Sequence, residues 1–308
     1  MKLLILFLLV LSVVACGPQQ ENHLSANSEF SGVINGKPVT EKTAASLGLV
    51  LIEFYRASQV PGELSFIGFC SGTLVGRHTV LTAAHCFDPH LLPGGVAAKV
   101  IFEIERLENS QALAFNVFKS SNHPLYNTQP GVRAVPRLSD NSSTFLSYDH
   151  DIAVLVFNGT APKNYQIAKM ASNLTSNHAG ETEHVYGFGR SVDYNGDADE
   201  IVIQSSGVLR EGSVQIKDNF LMLSDRYYIE KNSNNQMSCQ GDSGGPHFLE
   251  GKNSKIVIGV TSAALGRTLA NGRKSCLDEA QVTKVAPFYQ WIKKEEKKLL
   301  EELTQEYR

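Results

Sequence analysis

The pattern of apolar and polar positions divides the chain into unequal parts. Leu3 to Val14 form an unbroken apolar run behind Lys2. It is shorter than the roughly 18 residues a spanning helix needs and suits a secretory leader over residues 1–15. Gly17 to Gly32 is rich in Gln, Asn, Ser and Glu. It cannot bury enough surface to order itself, so residues 16–32 read as a tether or propeptide. From Val33 onward, short β-rich runs alternate with turn residues: Leu47 to Phe54, Phe66 to Val75, Ala98 to Ile104, Ile152 to Phe157, His184 to Phe188 and Ile256 to Thr261. That spacing predicts an all-β barrel or sandwich.

A helical period is found at the end of the chain. Pro287 suits a first turn, and Phe288, Trp291, Ile292, Leu299, Leu300 and Leu303 interleave with Lys and Glu. The first turns are expected to pack on the body, leaving residues 293–308 as a charged, solvated extension. Its lysine and glutamate blocks nearly cancel, which argues against a membrane-surface role.

With 308 residues the chain can form one large β unit or two small barrels. A formal charge of −3 and the lack of a basic stripe outside the C-terminus exclude nucleic acid as a partner. No cofactor is expected. Asp193, Asn195, Asp197 and Asp199 alternate around Gly196, but no flanking helices or closing glutamate complete a calcium loop, so no metal is expected either.

Of five cysteines, Cys16 stands at the leader boundary. Val13-Val14-Ala15-Cys16-Gly17 resembles a bacterial lipobox, which implies an exported envelope lipoprotein touching the membrane only through a lipid on Cys16. The alternative is ordinary cleavage after Ala15, leaving a free thiol and a secreted chain.

Three segments suit three jobs in acyl transfer. Gly241-Asp242-Ser243-Gly244-Gly245-Pro246 presents a hydroxyl on a tight bend, with N–H groups of Gly241 and Ser243 able to converge on a developing oxyanion. Leu81-Thr82-Ala83-Ala84-His85-Cys86 carries an imidazole suited to take the hydroxyl proton. Asp149-His150-Asp151-Ile152-Ala153-Val154-Leu155 sets an acid before a buried-looking strand; Asp151 is favoured and Asp149 is its rival.

LTAAHC, DIAVLV and CQGDSGGP resemble the triad motifs of the trypsin/chymotrypsin family of serine proteases, and the resemblance extends from Val33 to Ile292. Val185-Tyr186-Gly187-Phe188-Gly189, His123-Pro124-Leu125-Tyr126 and Gly259-Val260-Thr261-Ser262 look like further family segments. The resemblance implies two six-stranded antiparallel β-barrels with the site between them and a C-terminal helix. It implies catalytic His85, Asp151 and Ser243, support of Asp151 by Ser262, and disulfides Cys70–Cys86 and Cys239–Cys276. A monomer acting on polypeptide substrates is expected; the rival readings are an inactive binding module of the same fold and an esterase.

Two departures refine this picture. Met237 stands where trypsin has the aspartate that binds basic side chains, and the pocket-wall glycines fall at Ala264 and Ala280. A thioether cannot pair with a buried cation, so cleavage after small or medium apolar residues is expected, unless Asp278 or Glu279 turns into the pocket. Val33-Ile34-Asn35-Gly36 resembles the family's mature N-terminus, whose freed amine would pair with Asp242. Gly32 offers a trypsin-like activator nothing to recognise, so either another protease cuts there or the chain works uncut. Cutting would also sever a lipid anchor on Cys16. Residues 128–148 form a longer connection than the family usually shows, read as a lid or a surface insertion.

Overall fold

The structure is a computed structural model. It describes residues 32–60, 62–90, 92, 96–106, 112–126, 149–174, 176–193, 206–217, 225–251, 254–265 and 275–306. The leader, Cys16, most of the tether and the 128–148 connection lie outside the described residues.

The first barrel is built from β2 (Leu49–Ala57), β3 (Leu64–Gly76), β4 (Thr79–Thr82), β5 (Ala97–Ile101), β6 (Ala114–Asn122) and β7 (Ala153–Phe157). They close in the order β2-β3-β4-β7-β6-β5, every pair antiparallel. The second comprises β8 (Thr182–Gly187), β9 (Arg210–Ile216), β10 (Arg226–Lys231), β11 (Pro246–Glu250), β12 (Lys255–Ala264) and β13 (Ala280–Lys284). Its order β9-β10-β13-β12-β11-β8 closes through a β8–β9 pairing, and β1 (Lys37–Pro38) adds to the outside of β9. The fold is two closed six-stranded antiparallel barrels, as expected.

Strands escaped the sequence reading where their side chains are mixed. β13 reads Ala-Gln-Val-Thr-Lys, yet all five residues are buried. The short helix α1 (Glu41–Leu47) was also missed. Its seven residues are too few for a visible period, and local capping defines it: Thr40 Oγ1 accepts from Thr43 N–H at 3.2 Å, and Gly48 N–H closes the other end on Ala44 and Ala45 carbonyls.

The terminal helix α2 (Tyr289–Glu306) corrects the expectation of a solvated extension. It lies on β7 and β6, with Ile292 and Leu299 fully buried and Leu300 and Leu303 packed against the same core. Lys119 Nζ pairs with Glu302 at 2.7 Å, and Ser121 donates to Glu295 at 3.0 Å. This cover explains why β7 is apolar without alternation: one face lines the barrel and the other faces α2.

Candidate active site

The barrel register brings two of the three motifs together. Thr82 opposes Ala153 where β4 pairs with β7, so the chain leaving β4 and the chain entering β7 meet at one end of the barrel. His85 lies on the 3-10 turn Ala84–Phe87 just past β4, and Asp151 lies just before β7. His85 Nδ1 is 2.7 Å from Asp151 Oδ2, and His85 backbone N–H donates to Oδ1 at 2.8 Å. Ser262 Oγ donates to Oδ2 at 2.6 Å, and Gln281 Nε2 donates to Ser262 Oγ at 3.3 Å. Asp151 is fully buried, and its carboxylate is held by three donors. Asp149 instead pairs with Arg226, which settles the choice of imidazole partner.

The His85 side chain is 13% exposed. Burial works against its charge, but the Asp151 carboxylate, its hydrogen bond and Asp88 outweigh that and hold the imidazole above its ordinary pKa of 6.5. With Nδ1 engaged by Asp151, a neutral ring presents Nε2 as the base.

Ser243 comes from the other barrel, on the turn between β10 and β11, and that turn is fastened across the crevice. Ser71 on β3 donates its N–H to the Ser243 carbonyl at 2.8 Å and its hydroxyl to the Gly241 carbonyl at 3.0 Å. The same hydroxyl accepts Phe188 N–H at 3.0 Å. Gly244, at φ +79°, has no room for a Cβ, which would collide with Thr82 Oγ1 and the Ser71 carbonyl and crowd Ala83 N, close ahead of His85. Gly241, at φ +95°, is likewise closed in by Phe69 and Gly189. The N–H groups of Gly241 and Ser243 find no acceptor among the described residues, although Asp242, Gly244 and Gly245 around them all donate. Two free amides beside a serine form an anion cradle.

Residues 54–292 match the sequence model of the family described as Trypsin. The chain belongs to the trypsin family. It is similar to human granzyme M, 27% identical over 240 residues that span 73% of this chain and 78% of the relative. It also resembles human putative trypsin-6, 24% identical over 226 residues with the same shares. Both relatives are human, and neither bears on the bacterial-type leader expected around Cys16.

The two disulfides of this trypsin-family chain join Cys70 to Cys86 and Cys239 to Cys276, the pairs that the resemblance implied. The first pins the His85 turn to β3. The second ties the segment ahead of Ser243 to the entrance of β13. Ala264 and Ala280 are register partners across β12 and β13. Met237 is fully buried in the cluster that holds Ala280, and it bridges to Ile34. Beside it, the buried Ser238 hydroxyl has no hydrogen-bond partner among the described residues. Glu279 pairs with Lys217 at 3.3 Å. Asp193, from the acidic loop, accepts from Cys276 N–H at 2.8 Å and from Ser275.

Val33 is fully buried next to Asp242, and its N–H is 3.4 Å from Oδ1. Gly189 and Cys239 donate to the same carboxylate at 2.8 Å each. The chain is unbroken at Gly32, so Val33 offers an amide rather than an amine. Burial pushes the Asp242 pKa up to about 7, against the backbone donors of Cys239, Gly189 and Val33 and the charge of His247.

Sequence reasoning missed Ser71, whose only outward mark is a small polar residue between Cys70 and Gly72 in an apolar strand. It also missed the stacked imidazoles of His123 and His150, 5.2 Å apart, against Phe288 and Trp291 of the C-terminal segment. His150, at φ +55°, directly precedes Asp151.

Proposed function

We propose that the chain is a serine endopeptidase that cleaves peptide bonds through an acyl-enzyme on Ser243. The observation that carries this reading is the Asp151–His85 pair at 2.7 Å beside a serine turn whose Gly241 and Ser243 amides are open. Ser243 Oγ attacks the peptide carbonyl while His85 Nε2 takes the hydroxyl proton, and Asp151 stabilises the imidazolium. The oxyanion is received by the Gly241 and Ser243 amides, each worth about 3 kcal/mol of barrier. The imidazolium returns its proton to the leaving amine, and water, activated by the same His85, then releases the acid and regenerates Ser243.

Substrates carry a small or medium apolar side chain at the cut residue. Methyl groups of Ala264 and Ala280 narrow the slot, and Met237 offers no anion for Arg or Lys. The chain is exported, held to a membrane only by a lipid on Cys16, and another protease cutting before Val33 activates and releases it in one event. The freed Val33 amine then supplies the cation that buried Asp242 lacks in the uncut chain.

A fluorophosphonate probe and a peptide library test this. Labelling of Ser243, abolished in His85→Ala, with cleavage after Ala, Val or Leu is the expected result. A serine that stays unlabelled after the chain is cut before Val33 would mark a binding module, and faster cleavage after Arg or Lys would overturn the pocket assignment. Full activity with the acylated Cys16 still attached would overturn the coupling of activation to release.

A further inference from the structure

Four polar side chains meet inside the second barrel, where the mechanism above has no use for them. Tyr227 on β10 donates its hydroxyl to Glu183 Oε2 at 2.7 Å. Glu183 on β8 faces His247 Nδ1 through Oε1 at 2.6 Å, and His247 Nε2 on β11 lies 2.9 Å from Thr261 Oγ1 on β12. Tyr227, Glu183 and His247 have no exposed surface, and Thr261 is 3% exposed. Exchanging a buried ionic group for apolar residues of similar volume is often neutral or stabilising. Stability alone therefore does not account for four polar residues brought together from four strands of one barrel.

The relay ends at a mechanically important place. The Thr261 carbonyl accepts Gly244 N–H at 2.9 Å, and Thr261 N–H donates to the Gly245 carbonyl at 2.9 Å. Those are the two residues after Ser243. The next residue, Ser262, holds Asp151. The strand ladders are irregular here: the β11–β12 register slips between His247 and Phe248, and the β12–β13 register slips between Thr261 and Ala263. Thr261 is the last paired residue before the β12–β13 slip, opposite Val282, and bulges of this kind re-aim side chains beside active sites. The backbone bonds to Gly244 and Gly245 tie Thr261 to the serine turn, and a side-chain bond from a buried imidazole adds a constraint on Thr261 at the edge of the bulge.

We propose that His247, oriented by Glu183 and Tyr227, is a positioning residue that fixes Thr261 and through it the Ser243 turn. The proposal rests on the serine-peptidase reading. His247 touches no reacting atom; it acts by fixing where the hydroxyl and the two open amides lie.

The test replaces the relay by an apolar core in the full chain, with Glu183→Leu, His247→Leu and Tyr227→Phe combined, and parent and variant are cut before Val33 ahead of the kinetic readouts. The readouts are thermal midpoint, fluorophosphonate labelling rate, kcat and KM on an apolar peptide. The expected result is a folded variant with KM within about 2-fold of the parent and with kcat and labelling rate both lower by about 10-fold or more. Ångström-scale misplacement of reacting groups costs up to about 10²-fold. Should the triple variant not fold, Thr261→Val removes only the hydroxyl that His247 grips and is expected to lower kcat and labelling in the same way. A folded variant of either kind with parental kcat and labelling overturns the proposal. A parent chain that, once cut before Val33, neither labels nor cleaves overturns the peptidase reading, and with it any reaction for His247 to serve.

Discussion

Ser71 reaches across the crevice and donates its backbone N–H to the carbonyl of Ser243 at 2.8 Å, although 172 residues separate the two. Through its hydroxyl it also holds the carbonyl of Gly241 and the N–H of Phe188. One small residue of the first barrel thereby sets the depth at which the second barrel presents its nucleophile.

Ser71→Ala keeps the backbone bond and removes both hydroxyl contacts, leaving the buried Phe188 N–H unpaired at about 1–3 kcal/mol. The expected outcome is that loss in urea unfolding, with a kcat decrease larger than any KM change because Gly241 is no longer held. Unchanged kcat would show that the turn holds itself.

His85 is held above 6.5 by Asp151 after burial has opposed its charge. Catalysis needs the neutral ring, so activity is low under acid conditions and appears as pH rises through a midpoint above 6.5. Asp151→Asn removes the charge that raises this value. Its acid limb should move to lower pH while kcat falls roughly 10³–10⁴-fold, read from pH–rate profiles of parent and variant.

In the uncut chain, Asp242 sits at about 7, above its ordinary 3.8. A carboxyl raised by folding stabilises the fold below its unfolded value, and that contribution is lost as pH rises through the folded one. Uncut protein should therefore lose stability between about pH 4 and pH 7. A chain beginning at Val33 pairs the carboxylate with an ammonium, lowers its pKa and should lack that loss. Thermal midpoints across this range, on Ser243→Ala protein with and without residues 1–32, check the difference.

Leu299 is 1% exposed beneath α2. Leu299→Ala should cost about 2–5 kcal/mol, seen as a lower urea midpoint, whereas Lys297→Ala on the exposed side of the same helix should change little.

Much of this architecture was legible along the chain. β2, β3 and β12 announce themselves by β-rich apolar runs, and the three motifs carry their chemistry in contiguous residues, where residue type, turn preference and neighbours act together. β13 was hidden because Gln281, Thr283 and Lys284 read as surface until neighbouring strands bury them. The charged turns of α2 look solvated until β7 supplies an apolar floor under Leu299 and Leu303.

By itself, the sequence determined the candidate nucleophile, base and acid, the β-rich build and the cysteines available for pairing, because those properties reside in short segments. Only the tertiary structure decided that Ser71 fastens the Ser243 turn and that Tyr227, Glu183, His247 and Thr261 form one relay, and it set Asp151, the acid the sequence favoured, rather than Asp149 against His85. Asp149 and Asp151 are chemically alike and two positions apart. What separates them is the pairing of Thr82 with Ala153, a register fixed by closing a six-stranded barrel and written in no local stretch of the chain.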